Sequence, residues 1–167
     1  MVTKERFAQG MTRQQYLDQM GTNKDKFVEF LNEIQIRPED QAALAKLGKK
    51  LKCLVITEDW CGDALYNVPV LLKLVEGNPD VELRIFLRDK NPDLIDQYLN
   101  QGHFRSIPVF AFFDENMTEV ARLIERPPAH TEELEKKMLE ARRALRAERY
   151  KDWRQGVVDE IKGILKA

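Results

Sequence analysis

Cysteine is scarce in this chain: Cys53 and Cys61 are the only two in 167 residues. Both fall in or just after one apolar stretch, and the extended chain between them spans roughly 26 Å, far beyond disulfide reach. A disulfide framework is excluded. Two thiols without a structural bond point to a reducing compartment, the cytoplasm. Histidine is as sparse, with His103 and His130 isolated from each other and from the cysteines. There is no Cys-x-x-Cys pair. Glu58, Asp59, Cys61 and Asp63 lie close in sequence but have no histidine beside them, so no metal is expected. No phosphate-cradling glycine loop and no Ser-His-Asp constellation points to a cofactor or to a serine hydrolase. Long hydrophobic runs are missing too. The first twenty residues carry Lys4, Glu5, Arg6, Arg13 and Asp18 in place of a signal-peptide core, and no run reaches membrane-spanning length. Charge of one sign is not in excess: 27 basic and 28 acidic residues leave a formal net charge of −1. Neither nucleic acid nor a membrane surface is expected as a partner. No internal repeat or low-complexity tract is present.

What remains is an ordinary globular composition, 43% hydrophobic and 33% charged. It suffices to bury a core without staples, and the expectation is one domain over 1–167. Thr12 is placed to cap a short helix through Tyr16, Leu17 and Met20, ended by Gly21. Thr22 or Asn23 is placed to cap a second, with Phe27, Phe30, Leu31 and Ile34 on one face. Pro38-Glu39-Asp40 opens a third, to about Gly48. Leu51 to Thr57 reads as a buried strand. Gly62 to Glu76 reads as a helix interrupted by Pro69, and Val81 to Leu87 as an alternating strand. Asn91-Pro92-Asp93 opens a helix closed near Gly102. Pro108 to Phe113 and Thr118 to Ile124 form a hairpin about Asp114-Glu115-Asn116. Past Thr131 the pattern is helical and highly charged, with apolar stripes Leu134, Met138, Ala141, Leu145 and Val157, Val158, Ile161, Ile164, Leu165. Strand and helix alternate, so the class is α/β with a parallel pair finished by a hairpin.

Chemistry concentrates in Trp60-Cys61-Gly62-Asp63-Ala64. Cys61 lies where a strand ends and a helix begins, where free backbone N–H groups and the macrodipole favour a thiolate. Gly62 allows close backbone approach. Asp63 acts against the thiolate, by repulsion or by occupying the same N–H groups. Trp60 shields the thiol or forms a binding surface. Cys53, inside an apolar strand, reads as a small buried hydrophobe.

These residues resemble the thioredoxin superfamily over about residues 50 to 127. Trp60-Cys61-Gly62 matches the active-site loop, Pro69 the helix proline after it, Asn91-Pro92 the turn after the central strand, and Ile107-Pro108 the cis-proline that faces the site. The resemblance implies a thioredoxin-like fold, a central mixed sheet flanked by helices. Helices at 1–49 and 128–167 are additions to that core. It also implies Cys61 as the redox-active thiol, with Ile107 offering its backbone to a bound extended chain and Pro108 forming the opposing wall.

The departures set the expected function. The family's second cysteine is Ala64. The buried acid that assists it, six residues before the first cysteine, is Val55, and the lysine paired with that acid is Ile85. All three bear on attack and release by the second thiol, and without that thiol a buried charge pair assists nothing. The chain is similar to bacterial thioredoxin-like proteins with Trp-Cys-Gly-Asp followed by a residue other than cysteine. The expectation is a monothiol redox protein: Cys61 exchanges with a thiol or disulfide-bearing protein or small-molecule thiol, and an external thiol resolves it. Asp63 and Ala64 would leave a small, wet pocket in place of the second sulfur. The competing reading is a non-catalytic peptide- or protein-binding module on the same Trp60–Pro108 surface. In the tail, Lys136, Lys137, Arg142, Arg143, Arg146 and Arg149 interleave with glutamates at i,i+4 spacing. A solvated helix packing its leucine stripe on the core, or on a second copy as a homodimer, fits that pattern better than nucleic-acid binding.

Overall fold

The computed structural model describes residues 1–46 and 48–165, in two units, Met1–Arg126 and Pro127–Ala167. The first unit begins with four helices: α1 (Lys4–Ala8), α2 (Arg13–Gln19), α3 (Lys24–Glu33) and α4 (Pro38–Ala45). Local sequence explains their starts. Thr12 closes a capping box with Gln15 at the head of α2, and Pro38 occupies the first turn of α4. α1 was not expected from sequence; Thr3 caps it and its one buried residue is Phe7. α3 starts after Asn23, but Asn23 sits at φ 58° and makes no side-chain cap.

The sheet follows, with β1 (Leu51–Thr57), α5 (Gly62–Leu74), β2 (Val81–Leu87), a short 3-10 turn (Arg88–Lys90), α6 (Pro92–Ile95), β3 (Val109–Phe113) and β4 (Glu119–Ile124). Strand order is β2-β1-β3-β4. β1 and β2 run parallel, while β3 is antiparallel to both β1 and β4. The parallel pair needs a crossover, and α5 supplies it. The sheet is therefore mixed. Met11 bridges the outer edge of β2, exchanging two 2.8 Å backbone hydrogen bonds with Ile85. Neighbouring Gly10 makes this approach possible, since a Cβ there would lie 2.6 Å from the Phe86 ring.

Side-chain alternation along β1 divides the core. Leu54 and Ile56 join Phe7, Leu94, Ile95, Val109, Ala111 and Phe113 on one face. Cys53 and Val55 join Tyr16, Phe27, Leu65, Val68, Leu72, Ile85 and Phe110 on the other. The helix expected from Asn91 to Gly102 stops at Ile95. Beyond it the bonds tighten to i→i−3 (Gln97 N to Leu94 O, Tyr98 N to Ile95 O). Gln101 and Gly102 then turn left-handed at φ 51° and 75°, and Asn100 pairs with Phe104. The second unit contains one long helix, α7 (Pro128–Leu165), on which Leu134, Met138, Leu145, Val157 and Val158 are exposed. The side chains of Ile161, Ile164 and Leu165 lie outside the described residues. No described helix is long and apolar enough to cross a membrane.

Burial of Tyr16 on one face and Tyr98 on the other pushes both phenols up to about 12. The folded chain then holds protons that the unfolded chain releases from pH 10 upward. The associated stability is intact below pH 10 and is lost as pH rises from 10 towards 12, by up to about 2–3 kcal/mol per tyrosine. Denaturant midpoints at pH 8 and pH 11 check this. Tyr16→Phe should flatten the alkaline loss, and an unchanged loss would refute its assignment to Tyr16.

Candidate functional site

The thiol lies at one end of the sheet because of strand pairing. β1 and β3 are antiparallel with Ile56 opposite Val109, so the chain leaving β1 and the chain entering β3 meet at the same edge. Cys61 stands on the first, as the N-cap of α5 with extended backbone (φ −79°, ψ 125°). Ile107 and Pro108 stand on the second, joined by a cis peptide bond. The Cys61 thiol makes no capping bond to α5. It donates instead to the Ile107 carbonyl, at 3.5 Å. Cys61 is half-buried and packs against both halves of the core.

The other residues singled out from the sequence divide into two groups. Trp60 is 46% exposed, with the Arg88 guanidinium 4.8 Å over its ring. Gly62 has ordinary backbone angles, and a Cβ on it would meet nothing within 4 Å. It leaves open space over the first turn of α5, and no close backbone approach requires it. Ala64 is 1% exposed among Leu65, Val68 and Leu72. The expected wet pocket beside it is therefore absent, because the helix turns this position into the core. Val55 and Ile85 are fully buried and directly opposite in the β1–β2 register.

Asp63 neither binds the α5 N–H groups nor stands as a free charge. Arg126 grips it in a two-pronged pair, Nε to Oδ1 at 3.2 Å and Nη2 to Oδ2 at 2.7 Å. The same guanidinium also bonds Glu125. Its side chain is only 15% exposed. Burial works against the Arg126 charge, but Asp63, Glu125 and Cys61 together hold its pKa above the ordinary arginine value. Glu125, in the left-handed region at φ 67°, ties this loop to the site. Its N–H donates to the Pro108 carbonyl at 2.7 Å. Its own carbonyl accepts from Asn67 at 3.0 Å, and its carboxylate from Asn100 at 2.9 Å. Sequence reasoning missed Arg126, Glu125 and Asn67. They belong to no motif, and pairs 63 or 58 positions apart leave no periodic trace.

Glu58 is 7% exposed. Its carboxylate accepts the Asp89 N–H at 2.8 Å, and burial pushes its pKa upward. Glu58 and Asp63 thus turn away from each other, to Asp89 and to Arg126. Among the described residues, no group of three or more His, Cys, Asp or Glu side chains is arranged to hold a metal ion. Cys53 is fully buried, and burial alone pushes its thiol far up.

The arrangement is thus one accessible thiol between an exposed indole and a cis-proline turn, with the Asp63 carboxylate beside it paired to a half-buried arginine. A family model described as thioredoxin matches residues 10–154. No curated protein sequence is similar enough to count as a relative. Among solved structures, a protein of unknown function from Pseudomonas aeruginosa is 20% identical, with a TM-score of 0.68 over 99% of this chain and 98% of that one. An HIV epitope-scaffold is 22% identical, with a TM-score of 0.66 over 77% of this chain and 80% of that one. Mitochondrial thioredoxin 3 from Saccharomyces cerevisiae is 19% identical, with a TM-score of 0.39 over 57% of this chain and 88% of that one. The mixed four-stranded sheet with its flanking helices is a thioredoxin-like fold of the α/β class.

Proposed function

We propose, for a chain that belongs to the thioredoxin family, that Cys61 works as a lone thiol in thiol–disulfide exchange. The Cys61 thiolate attacks one sulfur of a disulfide carried by a protein or a small molecule. A bond forms between Cys61 Sγ and that sulfur, the old S–S bond breaks, and the second sulfur leaves as a thiolate. An external thiol then attacks the mixed disulfide, takes the substrate sulfur into a new disulfide and returns Cys61 as thiolate. Electrons thus pass from the external thiol to the substrate disulfide, and Cys61 ends unchanged.

One observation carries this reading. Cys61 is accessible at a helix start beside the Ile107 carbonyl, while the two places that could supply a second thiol are closed. Ala64 carries no sulfur, and the Cys53 thiol is fully buried. Trp60 would form one wall of the substrate groove, and Ile107 with Pro108 the other. Gly62 leaves the approach open, and Arg126 offsets the charge of Asp63.

Intact-mass measurement after incubation with excess glutathione disulfide tests the proposal. The expected product carries one glutathionyl group, mapped to the Cys61 peptide, and Cys61→Ser abolishes it. A native chain that stays unmodified at Cys61 while the unfolded chain reacts would refute exchange and favour the non-catalytic binding module.

A further inference from the structure

The loop that presents the thiol is short, and its anchors come from outside the sheet. Between the end of β1 and the start of α5 lie Glu58, Asp59, Trp60 and Cys61. Asp59 points back to the link between α2 and α3. Its carboxylate Oδ2 accepts the Gly21 N–H at 2.7 Å and the Thr22 N–H at 3.1 Å. Its main-chain carbonyl accepts from the Asn23 side-chain amide at 3.0 Å. That bond explains why Asn23 does not cap α3: its amide reaches across to the thiol loop, from a left-handed backbone. Tyr16, also from α2, is fully buried with its ring edge-on to Phe27 at 5.9 Å. Its hydroxyl interacts with that of Thr57, and among the described residues neither has a further partner in hydrogen-bond geometry. It lies within electrostatic reach of Glu58, Asp59 and Cys61. The helices preceding the sheet thus supply both the anchor and a buried polar group to the thiol loop.

We propose that Asp59 is a positioning residue for the Cys61 thiol, which makes the α2–α3 link an integral part of the site. This rests on the reading of Cys61 as the exchanging group. Exchange requires the attacking sulfur to be aligned with the S–S bond it breaks, and small displacements of a reacting group are expensive in rate. Three hydrogen bonds on one residue, two positions before the cysteine, fix the backbone that aims Cys61 Sγ. Glu58 holds the opposite flank through Asp89.

The test uses the full chain and glutathione disulfide in excess near neutral pH. It reads the rate constant for mixed-disulfide formation at Cys61, with circular dichroism as the check on folding. Asp59→Ala should slow the reaction about tenfold or more. Asp59→Asn keeps an acceptor oxygen and should recover most of the rate, a rescue that loss of packing alone would not produce. Asn23→Gly tolerates the left-handed backbone and removes only the amide donor, so it should slow the reaction by a smaller factor. A folded Asp59→Ala variant reacting at or above the wild-type rate overturns the proposal, as does Asp59→Asn reacting as slowly as Asp59→Ala. If Asp59→Ala does not fold, an unchanged rate in Asn23→Gly overturns it. Failure of the wild-type chain to exchange at Cys61 removes the proposed function and this inference together. A reactive wild type with insensitive variants removes this inference alone.

Discussion

Val55→Asp is expected to destabilise the chain by about 3–5 kcal/mol, the cost of an uncompensated buried charge. For a chain of this size that is a drop of roughly 10 °C in melting temperature. Val55 is fully buried in β1 and shares its core cluster with Tyr16, Val68 and Phe110, so a carboxylate there loses its water and finds no positive partner within the cluster. The introduced acid therefore takes up a proton more readily than usual, and the loss should shrink as pH falls through its raised pKa. Ile85 lies directly opposite in the parallel register, on the same face and one strand spacing away. Ile85→Lys should also destabilise on its own. Combined, the two should cost less than the sum of the singles by 1 kcal/mol or more, since each charge then finds its partner. Strictly additive losses in chemical denaturation would contradict the view that these two positions hold the place of a charge pair.

The second large effect is at Ala64. Cys61 is the N-cap of α5 and Ala64 its third helical residue, two positions whose side chain and backbone face each other at a helix start. Ala64→Cys places a thiol within one turn of Cys61. The introduced thiolate can attack Cys61 Sγ in a mixed disulfide, form an internal disulfide and expel the glutathione thiolate. That step is intramolecular, so release in dilute external thiol should accelerate by about 100-fold or more. Quenched-flow mass measurement follows it, as loss of the glutathionyl mass with two hydrogens fewer than the reduced chain. Retention of the adduct at the wild-type rate would show that the α5 start cannot host a second thiol.

The legible parts of the chain were those written in local pattern. Leu51–Thr57 and Val81–Leu87 are strands over the spans read from sequence, because buried β-branched and aliphatic runs between turn residues have few alternatives. Cys61 at a helix start and Ile107-Pro108 at a strand start were visible for the same reason. Contacts between distant segments were not. Asp63 looked like an opposing charge beside the thiol, since its partner Arg126 lies beyond the last strand, in no motif. Asn23 looked like a helix cap, since its amide has the right chemistry for one; tertiary contact with Asp59 claimed it instead. Leu94, Ile95, Tyr98 and Leu99 keep helical spacing, which predicts a longer helix than the one that ends at Ile95, where the backbone tightens before turning back at Asn100.

The central claim is that Cys61 acts alone and depends on a thiol from outside. The most direct measurement is the release rate of glutathione from the isolated Cys61 mixed disulfide as a function of external thiol concentration. The account predicts a straight line through the origin, with Cys53 remaining unmodified throughout. A finite rate at zero external thiol, or an internal disulfide between Cys53 and Cys61 among the products, would contradict it.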